Sequence, residues 1–168
     1  KYVFWGTGDL AESAVAALSR AGNTPIAIVT KPDSRQGRGQ AITEPMIKLW
    51  AKHKGIPVMQ PNFLKVRINN EGKYSEDEIG EISKSVDEFI TSYQALNADV
   101  AIVASYGNII PAQILNIPIN GTLNVHPSLL PLYRGPSPIQ CAMLAGDTST
   151  GVTIMLLDAQ MDHGPILI

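Results

Sequence analysis

The stretch Tyr2-Val3-Phe4-Trp5-Gly6-Thr7-Gly8-Asp9-Leu10-Ala11 decides how the rest of the chain is read. Its first four residues are apolar and fit a short buried strand. Two glycines one residue apart then turn the chain, and residues 10–20 repeat apolar side chains at helical spacing. Strand, glycine turn and helix in immediate succession open a βαβ unit. The same residues satisfy the relaxed pattern glycine-x-glycine-x-x-glycine-or-alanine, in which N–H groups at a helix N-terminus cradle a pyrophosphate. The second strand, however, ends in Thr30-Lys31-Pro32, and the acid wanted for a ribose comes late, as Asp33. A tight βα turn also needs glycines for its own geometry. A structural turn or general anion cradle is therefore preferred to NAD(P) binding, which stays open as an alternative.

Outward from that stretch the alternation continues. Strands are expected at residues 26–30, 57–60, 100–105, 123–126 and 151–157. Helices are expected at 44–53, with Thr43 as N-cap and Pro45 in the first turn, and from Ser137-Pro138 to just before Gly146. Between these, Ser75-Glu76-Asp77-Glu78 fits a capping box, and the helix it opens carries Ile79, Ile82, Val86, Phe89, Ile90, Tyr93 and Leu96 as one apolar stripe. The fold class expected is α/β, a Rossmann-like open sheet of mostly parallel strands flanked by helices.

The 168 residues, 45% hydrophobic and 17% charged, suffice for one domain with a sizeable core. A formal net charge of −2 excludes a generally basic nucleic-acid coat but not a local patch. Residues 31–54 hold six cations against Asp33 and Glu44, net +4, whereas residues 71–88 are net −5. The single Cys141, in an apolar helix and read as packing, excludes an internal disulfide or a Cys-based metal site. His53, His126 and His163 are scattered, so no metal is expected. No apolar run approaches the roughly 18 residues of a membrane span. A chain that starts on a strand shows no signal peptide, so a cytoplasmic location is expected. The missing initiator Met and the apolar strand beginning at residue 164 suggest most of a domain, the first of two.

The densest chemical signal is Leu123-Asn124-Val125-His126-Pro127-Ser128-Leu129-Leu130-Pro131-Leu132-Tyr133-Arg134-Gly135. Strand alternation puts Asn124 and His126 on one face near a strand's C-terminal end, where open parallel sheets bind ligands. A second signal, Leu157-Asp158-Ala159-Gln160-Met161-Asp162-His163-Gly164, offers two carboxylates four residues apart in a loop. An amide and an imidazolium can hold the oxyanion of an acyl transfer, and a carboxylate beside the imidazole favours its charged form or relays a proton. No serine stands in a nucleophile-elbow pattern. Direct attack by an external amine is the mechanism these groups suit.

On these residues the chain resembles the N-terminal catalytic domain of the methionyl-tRNA formyltransferases, which use 10-formyltetrahydrofolate. The resemblance extends over nearly the whole chain except residues 65–92. It implies a catalytic set of Asn124, His126 and Asp162. It implies folate contacts from Tyr106, Gly107, Asn108, Ile109 and Ile110, from Ser128, Leu129, Leu130 and Pro131, and from Asp158. The loop from Lys31 to Gly39 is similar to the one that enters the tRNA acceptor end, which implies tRNA contacts from Arg35, Arg38 and Gly39. Partners implied are methionyl-tRNA and 10-formyltetrahydrofolate, with no metal, no membrane, and a monomer. The family's C-terminal β-barrel domain has no counterpart in residues 1–168. Departures are Gly8 where proline is usual, Leu132 where a basic residue is common, and Gln160 and His163 in place of glycine and threonine. The motif is shared with formyltransferases acting on glycinamide ribonucleotide or amino sugars, so another amine acceptor is the nearest alternative. A non-catalytic folate- or tRNA-binding module is a third.

Overall fold

Every residue of β1 (Tyr2–Gly6) is buried, because strands flank it on both sides and helices cover both faces. The computed structural model describes residues 1–36, 40–65 and 74–168. After β1 come α1 (Asp9–Arg20), β2 (Ala27–Val29), β3 (Ser34–Gln36), β4 (Ala41–Thr43), α2 (Met46–Lys54), β5 (Val58–Met59), α3 (Glu76–Ala95), β6 (Val100–Ala104), α4 (Ala112–Leu115), β7 (Thr122–His126), α5 (Pro138–Ala145) and β8 (Thr153–Leu156). Six strands form one sheet in the order β5-β2-β1-β6-β7-β8. All neighbours are parallel except β7 and β8. The α/β class and mostly parallel sheet expected from the sequence are what the structure has.

Alternation along β1 sends Val3 and Trp5 to one face and Tyr2 and Phe4 to the other. The first face packs on α3, whose Ile82, Val86, Phe89, Ile90 and Tyr93 are the buried part of the expected stripe. Trp5 meets Phe89, Tyr93 and Tyr106 edge to face, with centroids 5.1–5.8 Å apart, and its indole N–H donates to the Tyr93 hydroxyl at 3.0 Å. This aromatic cluster ties α3, the central strand and the loop after β6 into one rigid unit. The capping box is present: Glu78 N–H donates to Ser75 Oγ at 3.3 Å, and Ser75 N–H to Glu78 Oε2 at 2.7 Å. The second face packs on α1 and α2 through Ala11, Val15, Ile47 and Ala51.

The glycines of the opening turn have separate reasons. A Cβ at Gly6 would lie 2.4 Å from the Ala11 Cβ and 2.6 Å from the Ala104 carbonyl, so helix and sheet touch there only if the residue has no side chain. Gly8, at φ 89°, turns the chain into α1 with nothing crowding it. Both demands come from the turn itself.

Three local readings change. The polar stretch 31–42 holds an antiparallel hairpin, β3 with β4. Thr43 ends that hairpin and bonds back to the Ala41 carbonyl, so α2 starts later, behind Pro45 and without a side-chain cap. Cys141 lies on the exposed side of α5 rather than in packing. The stretch 66–73, within the segment where the family resemblance lapses, lies outside the described residues, as do Arg38 and Gly39. Among the described residues no helix is long and apolar enough to cross a membrane, and no group of three metal-ligating side chains converges.

Candidate active site

The direction of β8 shapes the site. It runs antiparallel to β7, with Thr153 opposite His126 and Leu156 opposite Leu123. The loop after β8 therefore starts level with the beginning of β7, where Leu157 N–H donates to the Thr122 carbonyl at 2.7 Å. From there it folds back along β7, and this return brings Asp162 to Asn124 and His126. The Asn124 amide lies 3.5 Å from Asp162 Oδ1, and His126 Nδ1 lies 3.7 Å from the same oxygen. The His126 and Asp162 side chains are only 5% and 11% exposed, so water screens this pair weakly.

Backbone groups of the proline-rich loop fix both partners. His126 Nε2 lies 2.9 Å from the Tyr133 carbonyl, which can only accept, so that nitrogen carries the proton and Nδ1 is left facing Asp162. Two residues on, Gly135 N–H donates to Asp162 Oδ2 at 2.8 Å, leaving Oδ1 for the amide and the ring. Tyr133 takes φ 56° and Asp162 φ 47°, and Ser105, on the loop after β6, takes φ 49°. Left-handed backbone at non-glycine residues costs about 1–3 kcal/mol each and clusters at functional sites.

Ser105, Asn124, His126, Gly135 and Asp162 border a cavity of about 370 Å3, within the range of small-ligand sites. Its apolar wall includes Val103, Ile110, Leu115 and Leu157, and its polar groups include Asn108, Asn124, His126, Asp158 and Asp162. Tyr106, Gly107, Asn108, Ile109 and Ile110 all border it, as the sequence suggested. Tyr106 does so as a buried residue; burial pushes its hydroxyl up to about 12, so it stays neutral and backs the wall. Ser128, Leu129, Leu130 and Pro131 do not border this cavity. Instead they brace the loop: Ser128 Oγ donates to the Leu132 carbonyl at 2.7 Å, Leu130 N–H to Thr153 Oγ1 at 3.1 Å, and Thr153 Oγ1 to the Ser128 carbonyl at 2.7 Å. Arg35 is exposed on β3, away from the cavity lining.

Asp158 borders the cavity but spends both oxygens on its own loop. Oδ1 accepts Gln160 N–H at 2.8 Å, and His163 Nδ1 lies 2.9 Å from Oδ2. The His163 contact first, and the Gln160 N–H second, hold its carboxyl below the usual carboxylate range. Sequence reasoning missed Leu10, Val103, Leu115 and Leu157 as cavity residues, and the Tyr133 and Gly135 backbone groups as anchors. Apolar strand and helix residues read the same whether they face a core or a cavity. A main-chain contact leaves no side-chain signature.

The chain is similar in sequence and in fold to known proteins. The sequence model described as formyl transferase matches residues 1–168. A methionyl-tRNA formyltransferase of Chloroflexus aggregans is 43% identical over 99% of this chain and 48% of its own length. One from Thermodesulfovibrio yellowstonii is 39% identical over 99% of this chain and 47% of its own. The chain thus spans about half the length of the curated relatives it matches. Among solved structures, a phosphoribosylglycinamide formyltransferase from Bacillus halodurans superposes with a TM-score of 0.69 at 23% identity, covering 99% of this chain and 76% of that one. A formyltetrahydrofolate deformylase from Pseudomonas syringae gives 0.61 at 19% identity, covering 99% and 48%. At these identities the solved structures speak for the fold.

Proposed function

Because the chain belongs to the formyl transferase family, we propose that it transfers the formyl group of 10-formyltetrahydrofolate to the α-amine of methionyl-tRNA. The observation that carries this reading is the convergence of Asn124, His126 and Asp162 on one cavity with an apolar wall and a polar edge. The relatives named for this activity, 37–43% identical across the chain, support the choice of acceptor.

A flat heteroaromatic ring suits the wall of Val103, Ile110, Leu115 and Leu157, with Asn108 and Asp158 for its polar edge. The amine attacks the formyl carbon, and a new C–N bond forms as charge develops on the formyl oxygen. The Asn124 amide donates to that oxygen, and because Nε2–H is held by the Tyr133 carbonyl the ring reaches it through Nδ1–H when both nitrogens carry protons. Asp162 sits beside Nδ1 to stabilise the imidazolium and to take a proton from the attacking amine, directly or through water. The C–N bond to the folate nitrogen then breaks, and that nitrogen leaves with a proton. The fixed Nε2–H to the Tyr133 carbonyl keeps the ring from rotating during these steps.

The test is tetrahydrofolate release from 10-formyltetrahydrofolate by full-length protein, with methionyl-tRNA, uncharged tRNA, or neither. Release that requires the charged tRNA is expected. Release with neither would make the protein a hydrolase, and release only with another amine would change the acceptor; either result overturns the reading.

A further inference from the structure

The end of α5 carries a carboxylate where the helix itself disfavours one. Gly146, at φ 78°, donates its N–H to the Met143 carbonyl at 3.1 Å, and Asp147 donates its N–H to the Ala142 carbonyl at 3.1 Å. This pair of bonds closes the helix and fixes the backbone from which the Asp147 side chain projects. A carboxylate there meets the negative end of the helix dipole. Among the described residues no cation lies at ion-pair distance from it. What it holds is the Tyr133 hydroxyl, which donates to Oδ2 at 2.6 Å. The carboxylate in turn pushes that hydroxyl above its ordinary range, so the group stays a donor.

Tyr133 takes φ 56°, a left-handed conformation that an aromatic residue keeps only where its surroundings hold it. In that conformation its carbonyl receives His126 Nε2–H at 2.9 Å. Before it, Ser128 Oγ holds the Leu132 carbonyl; after it, Asp162 Oδ2 holds the Gly135 N–H. Those two bonds fix the flanking peptides and leave the peptide between them to be fixed by something else. Rotation about φ at Tyr133 moves the side chain and the carbonyl together. A hydroxyl anchored on α5 therefore anchors the carbonyl as well.

We propose that Asp147 is a positioning residue for the transfer: through the Tyr133 hydroxyl it keeps the Tyr133 carbonyl on His126 Nε2–H, and so keeps Nδ1 facing Asp162 and the reacting atoms. This rests on the functional reading above and adds a group to its machinery from outside the cavity. Neither Asp147 nor Tyr133 lines the cavity, so the pair acts on the orientation of the ring and leaves substrate binding alone. The end of α5 thus sets which imidazole nitrogen does the work.

Steady-state formylation of methionyl-tRNA by the full-length protein, with both substrates varied, tests this together with NMR of the protein carrying nitrogen-15 histidine. Asp147→Ala and Tyr133→Phe are each expected to lower kcat about 10–100-fold with both KM values unmoved, the scale on which a shift of about 1 Å in a catalytic group is felt. The double variant falls no further than the worse single one, because both substitutions cut the same bond. Asp147→Asn, whose amide oxygen still accepts the hydroxyl, restores most of kcat. The His126 Nε2–H signal, protected in wild type by the carbonyl, is lost to solvent exchange in Asp147→Ala and Tyr133→Phe and returns in Asp147→Asn. Tyr133→Phe leaves the helix end intact, so it carries the test even where Asp147→Ala folds poorly. An Nε2–H signal unchanged in both single variants overturns the proposal, as do additive losses in the double variant. If the wild type leaves methionyl-tRNA unformylated, the functional reading falls and the proposal falls with it. If the wild type formylates and both single variants match it, only the proposal falls.

Discussion

The described residues contain two histidine–aspartate pairs within one loop's reach of each other, and they are built on opposite plans. His163 and Asp158 sit 2.9 Å apart, 51% and 37% exposed, with both residues inside the segment 158–164. His126 and Asp162 sit 3.7 Å apart and are buried, one on β7 and one on the loop after β8. Distance alone would choose the first pair as the catalytic one. The contacts around each pair argue for the second. Asp158 has both oxygens committed to its own loop, which makes it a closing tie. Asp162 gives one oxygen to a main-chain N–H and keeps the other directed at an amide and an imidazole on a different element. A looser contact with an unspent oxygen, between two buried side chains, is the one able to change partner during a reaction.

Substitutions can break this contrast. His126→Ala and Asp162→Asn are each expected to lower turnover by about 10²–10⁴, the range for a positioned acid–base group, in the tetrahydrofolate-release assay. An active His126→Ala enzyme would erase the distinction between the pairs. Asn124→Ala comes next, with a loss of about 10²–10³ for one oxyanion donor; a change confined to KM would instead make the amide a binding group. His163→Ala is expected to change turnover by no more than about fivefold, as suits an exposed pair. A loss as large as that of His126→Ala would show that the loop tie governs catalysis.

The smallest effect is a titration. The Asp158 carboxyl is held below its ordinary range chiefly by His163, so its folded pKa lies below its unfolded one. The tie therefore contributes fully above the ordinary carboxylate value of about 3.9 and is lost as pH falls through the lower folded value. Carbon-13 NMR of the Asp158 carboxyl should show a midpoint under about 3.9. His163→Ala should move it upward, and an unmoved midpoint would break the assignment of cause.

How much of this was legible in the sequence differs by element. β1, the α3 stripe and the capping box were readable because each depends on neighbours in sequence. Asn124 and His126 could be placed on one face because strand alternation needs no tertiary information. The hairpin of β3 and β4 was missed because its strands are three residues long and β4 is fully exposed, leaving no apolar pattern to find. Cys141 was misplaced because α5 buries only Pro138 and Ala142, although its sequence is largely apolar. The approach of Asp162 to β7 depends on β8 running antiparallel, which is set by packing between elements far apart in the chain.

The proline-rich loop holds the buried pair through peptide groups: the Tyr133 carbonyl, the Gly135 N–H and, behind them, the Leu132 carbonyl. Every amino acid carries a carbonyl, so the exposed position 132 can change side chain without giving up its contact, whereas Tyr133 is also held by its hydroxyl, which donates to Asp147 Oδ2 at 2.6 Å. Leu132 and Arg134 point outward and are exposed. Over evolutionary time such a loop separates two kinds of change. The contacts to the buried pair follow from the path of the chain, and the outward side chains can change without disturbing them.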